Sequence, residues 1–416
     1  MSGVSKHADT QRITPTPGGV VRTAPIRYAN AGRFQRPRMV DGPDPTCAGQ
    51  ICPQPISRSA TPMGAPATLP RGEDCLNLVI ATPARGEGRR PVMVFVHGGS
   101  FRLGAGLLDC YDGSALSVEN DVVVVSVNYR LGVFGFLCLD GVSEGNLGLL
   151  DQIEALRWVR AHIADYGGDP DNVTVFGQSA GALSIRLLME IPTARGLFTR
   201  AVLQSRPTPY AARPRDAAET IGTCLLRLLD DDPRTASLPA LLAAAATAAE
   251  LARSGETIPP FYPSHGTASL PRSGSAFADN VTGLDVLCGW NADDASAFTS
   301  TPSGQHAVDL TEQLFARPIT AFANRLVDVG ARVHTYRLAW RPDNSPLGAT
   351  HSVELPLVLG RQAWQGAAFL GTTPWHRIDR LGRAMRRTWA YFARTGDIRA
   401  STELPLTWLR IDVRNR

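Results

Sequence analysis

The sequence predicts an α/β protein with a central, mostly parallel sheet and helices on both of its faces. Residues 75–80, 92–96 and 121–127 are apolar at nearly every position. Such continuous runs are typical of strands that are buried on both faces, as in a parallel sheet. Further strand patterns alternate with helical ones, which favours a doubly wound fold. No repeat or linker interrupts residues 1–416, so we expect a single domain.

The remaining elements can be assigned in chain order. Residues 1–70 are rich in Pro, Gly, Thr and Ser, so we expect mostly loop there, with short strands at 19–22 and 25–28. β-branched and apolar runs predict later strands at 172–176, 200–204, 284–288 and 332–338. Apolar residues at helical spacing predict helices at 149–163, 217–230, 238–253, 316–329 and 377–395, the last of which closes the chain.

Composition excludes several classes of function. The formal net charge is +4 over 416 residues, and no basic run is long enough to indicate nucleic-acid binding. The longest β-branched run, 122–127, is too short to cross a membrane, and residues 1–20 lack the apolar region of a signal peptide. We therefore expect a cytoplasmic protein that binds neither nucleic acid nor a membrane. The seven cysteines form no C-x-x-C pair and no clustered histidines accompany them, so we expect no metal site.

The most informative motif is a G-x-S-x-G sequence with Ser179 at its centre, directly after the strand predicted at 172–176. A serine between a buried strand and a helix is typical of a nucleophile elbow. The turn is strained and needs small neighbours, which Gly177, Ala180 and Gly181 provide. The helix that follows points its N-terminus at the serine, which favours developing negative charge. Ser179 is therefore the candidate nucleophile.

A glycine-containing loop provides candidate donors for an oxyanion. The sequence His-Gly-Gly-Ser-Phe at 97–101 follows the strand predicted at 92–96. Loops of this type carry the oxyanion donors in enzymes that have a nucleophile elbow. We expect the donors to be the backbone N–H groups of Gly99, Ser100 and Ala180. The alternative is an ordinary strand-to-loop turn.

Eight histidines compete for the role of general base. With a nucleophile elbow, the usual order along the chain is serine, acid, histidine. That order removes the three histidines that precede Ser179: His7, His97 and His162. Two others lie in loops before or close to the expected acid: His265 and His306. His334 lies within a strand pattern, and His376 begins a helix. His351 lies in a loop after the strand at 332–338, where active sites of such folds form.

The acid should follow the strand that ends near residue 288. Asp293 and Asp294 are both candidates there. The alternative for this pair is a turn that caps a helix beginning near Ser296.

Taken together, these segments resemble the type-B carboxylesterase family, which includes the cholinesterases. The similar segments occur in one order along most of the chain: 73–78, 97–101, 128–136, 145–152, 167–172, 176–181, 204–205, 289–294, 348–356 and 392–397. The resemblance implies an α/β-hydrolase fold and a serine esterase with a Ser-Glu-His triad. Some relatives in this family are non-catalytic adhesion proteins.

Carried over residue by residue, the resemblance implies Ser179 as nucleophile, His351 as base and Asp294 as acid. The family usually has Asp-Glu-Gly where this chain has Asp293-Asp294-Ala295, so the acid is one methylene shorter. Asp294 and His351 are separated by only 57 positions, fewer than is usual. That short interval implies a shortened cap or lid region and a more open or differently shaped pocket.

The resemblance also concerns residues outside the triad. Arg206 stands where the family usually has glycine, at the wall of the acyl pocket. Arg130 and Asp169 are expected to form a buried ion pair that supports the elbow. Cys52 and Cys75 resemble a family disulfide pair, but we expect free thiols in a cytoplasm.

These observations predict hydrolysis of small, uncharged carboxylic esters through an acyl-enzyme intermediate, with no cofactor. One alternative is a degenerate, non-catalytic member that acts by binding, since the acid and the lid both depart from the family pattern. Another is a lipase, amidase or transacylase that uses the same triad.

Overall fold

The computed structural model of this chain centres on an 11-stranded sheet. It describes residues 14–16, 19–42, 44, 47–55, 69–84, 88–207, 212–252, 259–272, 276–360, 362–399 and 403–409. The strands of the large sheet are β1 (Thr14–Thr16), β2 (Val20–Arg22), β3 (Ile26–Arg27), β4 (Asn77–Pro83), β5 (Arg90–Val96), β6 (Val123–Val127), β7 (Gly168–Gln178), β8 (Arg200–Gln204), β9 (Asp285–Asn291), β10 (Arg332–Leu338) and β11 (Leu406–Leu409).

The middle of this sheet is parallel and its two edges are antiparallel. The strand order is β1-β2-β4-β6-β5-β7-β8-β9-β10-β11, and β3 also pairs with β4. All pairs from β6 to β10 are parallel. In the registers of β7, Gly177 lies opposite Val96 of β5, and Gln178 lies opposite Gln204 of β8. The carboxyl ends of these strands therefore meet at one edge of the sheet, where such folds place their sites.

Helices cover both faces of the sheet. They are α1 (Ser114–Asn120), α2 (Gly132–Phe136), α3 (Leu147–His162), α4 (Ala180–Leu188), α5 (Arg215–Arg227), α6 (Leu238–Leu251), α7 (Ala276–Val281), α8 (Gln305–Thr311), α9 (Arg317–Asp328), α10 (Leu355–Leu359) and α11 (Trp375–Thr395). Val94 of β5 packs in one core with Ile185 of α4, and Phe95 packs in the opposite core with Trp389 of α11. The alternation follows from the two-residue period of a strand. Within the described residues, no helix is both long and apolar enough to cross a membrane.

The predicted strands and helices are present, with ends that differ by a few residues. The prediction that the last helix closes the chain is wrong, because β11 follows α11 and pairs antiparallel with β10. Five short helices were not predicted: α1, α2, α7, α8 and α10. Each has seven residues or fewer, too short for a clear helical period in the sequence.

The predicted ion pair between Arg130 and Asp169 is wrong. Arg130 instead donates to Asp151 of α3, with Nη2 at 2.7 Å from Oδ1 and Nε at 2.9 Å from Oδ2. Asp169 lies near the start of β7, whereas Arg130 follows the end of the parallel strand β6, so the two occupy opposite ends of the sheet. Asp169 is paired with Arg89 at 3.6 Å.

The seven cysteines are free thiols in this structure. Cys52 and Cys75 are both buried. A hydrogen bond with the Cys52 thiol, together with burial, raises the pKa of Cys75 well above its usual value. The Cys75 thiol is therefore protonated near neutral pH.

Candidate active site

Ser179 occupies a strained turn between β7 and α4. Its backbone has φ 56° and ψ −120°, a combination that non-glycine residues rarely adopt. The turn is fixed on both sides, since the Ser179 N–H donates to Gln204 O at 3.0 Å and the Leu183 N–H donates to Ser179 O at 2.9 Å. The side chain thus stands at the carboxyl edge of the sheet, half-buried.

The glycines on either side of Ser179 are required by close backbone packing. A Cβ atom on Gly181 would lie 2.0 Å from Val96 O, and one on Gly177 would lie 2.7 Å from the carbonyl carbon of Gly181. Neither neighbour is a flexible side chain, so neither can give way. The G-x-S-x-G spacing is therefore explained by the contact of the elbow with β5.

The loop after β5 lies directly against this elbow. A Cβ atom on Gly98 would lie 3.3 Å from Ser179 Cβ. Gly99 has φ 109°, and its carbonyl accepts hydrogen bonds from the N–H groups of Arg102 and Leu103, both at 3.0 Å. Gly99 and Ser100 are exposed, and within the described residues neither donates its N–H to another backbone group.

Ala180, the third predicted donor, is the first residue of α4. The first N–H groups of a helix have no partner within the helix. Gly99 and Ser100 thus lie in the loop that packs against Ser179, Ala180 follows Ser179 directly, and within the described residues none of the three donates its N–H to another backbone group.

His351 and Asp294 are in direct contact. The Nδ1–H of His351 donates to Asp294 Oδ1 at 2.6 Å. The side chain of His351 is 10% exposed and that of Asp294 is fully buried. Asp294 Oδ2 accepts the N–H of Asn291 at 2.9 Å, which fixes the carboxylate at the end of β9. Since a carboxylate only accepts, the proton of the neutral imidazole lies on Nδ1, and Nε2 is left as an acceptor.

Asp293, the other candidate acid, points elsewhere. Its two carboxylate oxygens accept from Arg341 Nε at 2.6 Å and Nη2 at 2.8 Å, and Oδ2 also accepts the Ala349 N–H at 2.8 Å. Burial alone would raise the pKa of Asp293, but these hydrogen bonds lower it. Asp293 therefore fixes the loop that carries His351, whereas Asp294 contacts the imidazole itself.

Nε2 of His351 is bound to a residue that the sequence did not indicate. The amide Nε2 of Gln178 donates to it at 3.0 Å. Within the described residues, no hydrogen bond joins His351 to the Ser179 hydroxyl, so the structure places these two residues in one site without joining them. Phe298 and Phe315 pack against the imidazole, with ring centroids 5.0 and 5.5 Å away.

Within the described residues, no other histidine side chain is hydrogen-bonded to Asp294 or Ser179. His97 is buried beneath the loop, where burial lowers its pKa to about 4. His265 lies near Glu190 at 3.9 Å, and His334 lies near Asp397 at 3.6 Å. Three more are exposed or partly exposed: His162, His306 and His376. His7 lies outside the described residues. In the part of the chain described, no group of His, Cys, Asp or Glu side chains is arranged to hold a metal ion.

A second buried carboxyl group lies behind the pair of Asp294 and His351. Asn291 Nδ2 donates to Glu354 Oε2 at 2.5 Å and to Thr350 O at 2.9 Å. Burial, followed by the nearby charge of Asp294, raises the pKa of Glu354 to about 7. No motif in the sequence singles out Glu354, which lies three residues after His351.

Comparison with known proteins settles the family. Residues 24–309 match the sequence profile described as the carboxylesterase family. The chain belongs to the carboxylesterase family. It is 39% identical, over 90% of its length and 88% of the relative's, to a probable N-octanoylanthranilate hydrolase of Rhodococcus erythropolis. It is 34% identical to the para-nitrobenzyl esterase of Bacillus subtilis, over 92% and 88% of the two chains.

Solved structures of carboxylesterases confirm the fold. A thermophilic para-nitrobenzyl esterase superposes with a TM-score of 0.83 and 31% identity, covering 92% of this chain and 89% of the other. The chain is therefore a carboxylic ester hydrolase with the α/β-hydrolase fold, and carboxylesterases act on small-molecule esters. The catalytic interpretation of the sequence is favoured over a binding protein that has lost activity.

Proposed function

We propose that this carboxylesterase cleaves esters through an acyl-enzyme on Ser179, with His351 as general base and Asp294 as the acid that orients it. The observation that carries the proposal is the 2.6 Å contact between His351 Nδ1 and Asp294, next to a serine held in a strained elbow. That contact leaves Nε2 as the acceptor that a general base needs.

The first step requires an exchange of partners at His351. Its Nε2 accepts from the amide of Gln178 in this structure and must accept from the Ser179 hydroxyl to activate it. Catalytic hydrogen bonds are often loose or misaligned in free enzymes and tighten when substrate binds. His351 needs only a small movement to change partners, because Gln178 and Ser179 are consecutive residues.

Chemistry then proceeds in two halves. As Ser179 Oγ attacks the ester carbonyl, its proton passes to His351 Nε2, and the N–H groups of Gly99, Ser100 and Ala180 receive the oxyanion. Collapse of the tetrahedral intermediate breaks the ester bond, and the imidazolium returns the proton to the departing alcohol. Water then attacks the acyl-enzyme with the same base, which releases the carboxylic acid and the free serine.

Aspartate in place of the usual glutamate is compatible with this role. Asp294 reaches His351 in spite of its shorter side chain, and the backbone N–H of Asn291 fixes its second oxygen. The carboxylate is fully buried, so its attraction to the imidazolium is weakly screened by water. We infer that Asp294 replaces the longer acid without loss of contact.

Amide hydrolysis is a second candidate activity. The relative with 39% identity is named for an N-acylated anthranilate, which is an amide. The same triad and oxyanion donors serve amides when the leaving amine can take a proton from the histidine. Comparison of a p-nitrophenyl ester with the p-nitroanilide of the same acid separates the two activities.

The proposal is tested with p-nitrophenyl acetate and butyrate and with a fluorophosphonate label. The wild type should hydrolyse both esters and take up the label, whereas Ser179→Ala should lose the label and about 10⁶-fold in rate. His351→Ala should fall to a similar level, and His376→Ala, on the exposed end of α11, should retain full activity. Equal, negligible turnover and labelling in the wild type and Ser179→Ala would refute the proposal.

A further inference from the structure

Arg206 lies next to the nucleophile elbow, at the position where carboxylesterases usually have glycine. It follows Gln204 and Ser205 at the end of β8, and Gln204 O accepts the backbone N–H of Ser179. Despite its charge, Arg206 is only 3% exposed.

The guanidinium of Arg206 is poorly paired for a buried charge. Within the described residues it donates one hydrogen bond, from Nη2 to Pro318 O at 3.3 Å, and it lies 4.8 Å above the ring of Phe322. No described carboxylate forms an ion pair with it. Burial and then the nearby charge of Arg186 lower the pKa of Arg206 to about 9, so the group remains cationic near neutral pH. Buried charges usually have an opposite charge beside them.

A second arginine reinforces the positive potential. Arg186 of α4 lies 6.0 Å from the same ring of Phe322. Its Nη2 pairs with Glu190 at 2.7 Å, while its buried Nη1 has no hydrogen-bond partner. Within the described residues, the guanidinium groups of Arg186 and Arg206 therefore have one nearby carboxylate, that of Glu190, and the three side chains together carry a net positive charge.

The neighbours of Arg206 place it between the two halves of the candidate active site. On one side lies Tyr262, which is close enough to affect the pKa of Arg206 and whose ring lies 5.1 Å from Phe101 of the oxyanion loop. On the other side, its acceptor Pro318 follows three residues after Phe315, whose ring lies 5.5 Å from His351. Arg206 is thus connected to the oxyanion loop through Tyr262 and to the surroundings of His351 through the start of α9.

We propose that Arg206, supported by Arg186, forms an anion subsite of the substrate pocket and that the preferred substrates are esters carrying a carboxylate. This rests on the proposed role of Ser179. A substrate carboxylate would accept the free N–H groups of the guanidinium and supply the missing opposite charge, a pairing that suits the planar fork of arginine. The sequence alone suggested uncharged esters, because it has no conspicuous acidic or aromatic cluster for a cationic group. It does not reveal that Arg206 is buried.

The first test compares kcat/KM for two matched pairs of esters. Monomethyl adipate and its neutral terminal amide place the carboxylate on the acyl side, while 4-acetoxybenzoate and 4-acetoxybenzamide place it on the alcohol side. One pair should show a preference of about 10- to 100-fold for the carboxylate, the value of a charge-assisted hydrogen bond. The pair that shows it identifies the side of the substrate that faces Arg206.

Variants then assign the preference to Arg206. Arg206→Met should reduce the ratio of carboxylate to neutral ester to about 1, and Arg206→Lys should retain part of it. Arg325→Met is the matched control. Arg325 lies on α9, the helix that also contains Pro318 and Phe322, but its exposed guanidinium stacks on Phe277 of α7 at 4.0 Å. The control should keep the wild-type ratio.

Binding gives a readout that is independent of turnover. Adipate should raise the melting temperature of Ser179→Ala and should not raise that of Ser179→Ala/Arg206→Met. Equal kcat/KM within both ester pairs, in a wild type whose Ser179 takes up fluorophosphonate, would overturn the anion subsite alone. A wild type that neither hydrolyses neutral esters nor takes up the label would overturn the proposed function. In that case the change in melting temperature with adipate would still test whether Arg206 binds a carboxylate.

Discussion

Asp294→Asn isolates the contribution of the buried acid, because it removes one charge with almost no change in volume. Asp294 accepts two hydrogen bonds, from His351 Nδ1–H and from the Asn291 N–H. An asparagine has only one oxygen and must turn its NH₂ group toward one of these donors. If the NH₂ group faces Asn291, the backbone N–H at the end of β9 loses its acceptor. If it faces His351, the imidazole must carry its proton on Nε2, and Nε2 can then no longer act as a base.

The expected loss of activity can be worked out from the geometry. A hydrogen bond to a charged group contributes about 1.5–3 kcal/mol. The attraction between the imidazolium and a carboxylate about 4 Å from its charge centre adds about 4 kcal/mol at an effective dielectric constant of about 20. The sum is about 5.5–7 kcal/mol, or about 10⁴- to 10⁵-fold in rate at 1.36 kcal/mol per factor of ten. The same substitution in a serine-protease triad costs about 10⁴ in kcat.

The assay is kcat for p-nitrophenyl butyrate, with Asp293→Asn as the matched control. That variant alters the adjacent carboxylate, which pairs with Arg341 instead of His351. We expect Asp293→Asn to stay within about tenfold of the wild type, while Asp294→Asn falls by about 10⁴. Equal losses in the two variants, or a small loss in Asp294→Asn, would refute the assignment of the acid.

Three further predictions concern stability and the lid. Because the pKa of Glu354 is raised from 4.5 to about 7, the folded state binds an extra proton between these values, so stability should fall by about 3 kcal/mol from pH 4 to pH 8. The free energy of unfolding of Glu354→Gln, measured with urea, should not show this fall between pH 4 and pH 8. The same pH dependence of stability in the wild type and the variant would contradict the prediction. Arg130→Met leaves Asp151 buried and unpaired and should cost about 3–5 kcal/mol in urea, whereas Asp169→Asn should cost under about 1 kcal/mol. A shortened lid should give no rate jump as a long-chain ester passes its micellar concentration; a large jump would count against it.

The sequence predicted the parts of this protein that depend on local pattern. The strands β5 to β9 each contain an apolar or β-branched run, and the elbow follows from the small residues that its contact with Val96 O requires. The position of the Gly99 loop against the elbow, and the contact between Asp294 and His351, also follow from the places of these residues after strands. These features are encoded within a few residues of one another.

Features that depend on contacts between distant segments could not be predicted. Arg130 bonds Asp151 and not Asp169 because strand direction, rather than similarity of motif, decides which end of the sheet a residue occupies. Gln178 contacts His351 across 173 positions. The burial of Arg206 requires α9 to fold over the end of β8, and no local pattern records that packing.

The central claim is that Ser179 carries the acyl group, and mass spectrometry of the acyl-enzyme tests it most directly. The wild type is mixed with p-nitrophenyl butyrate, quenched in acid within the burst of nitrophenol, and digested. We predict a butyryl adduct on the peptide that contains Ser179, a burst of about one nitrophenol per chain, and neither signal in Ser179→Ala. A stable butyryl adduct on another residue, or a burst that persists in Ser179→Ala, would contradict the account.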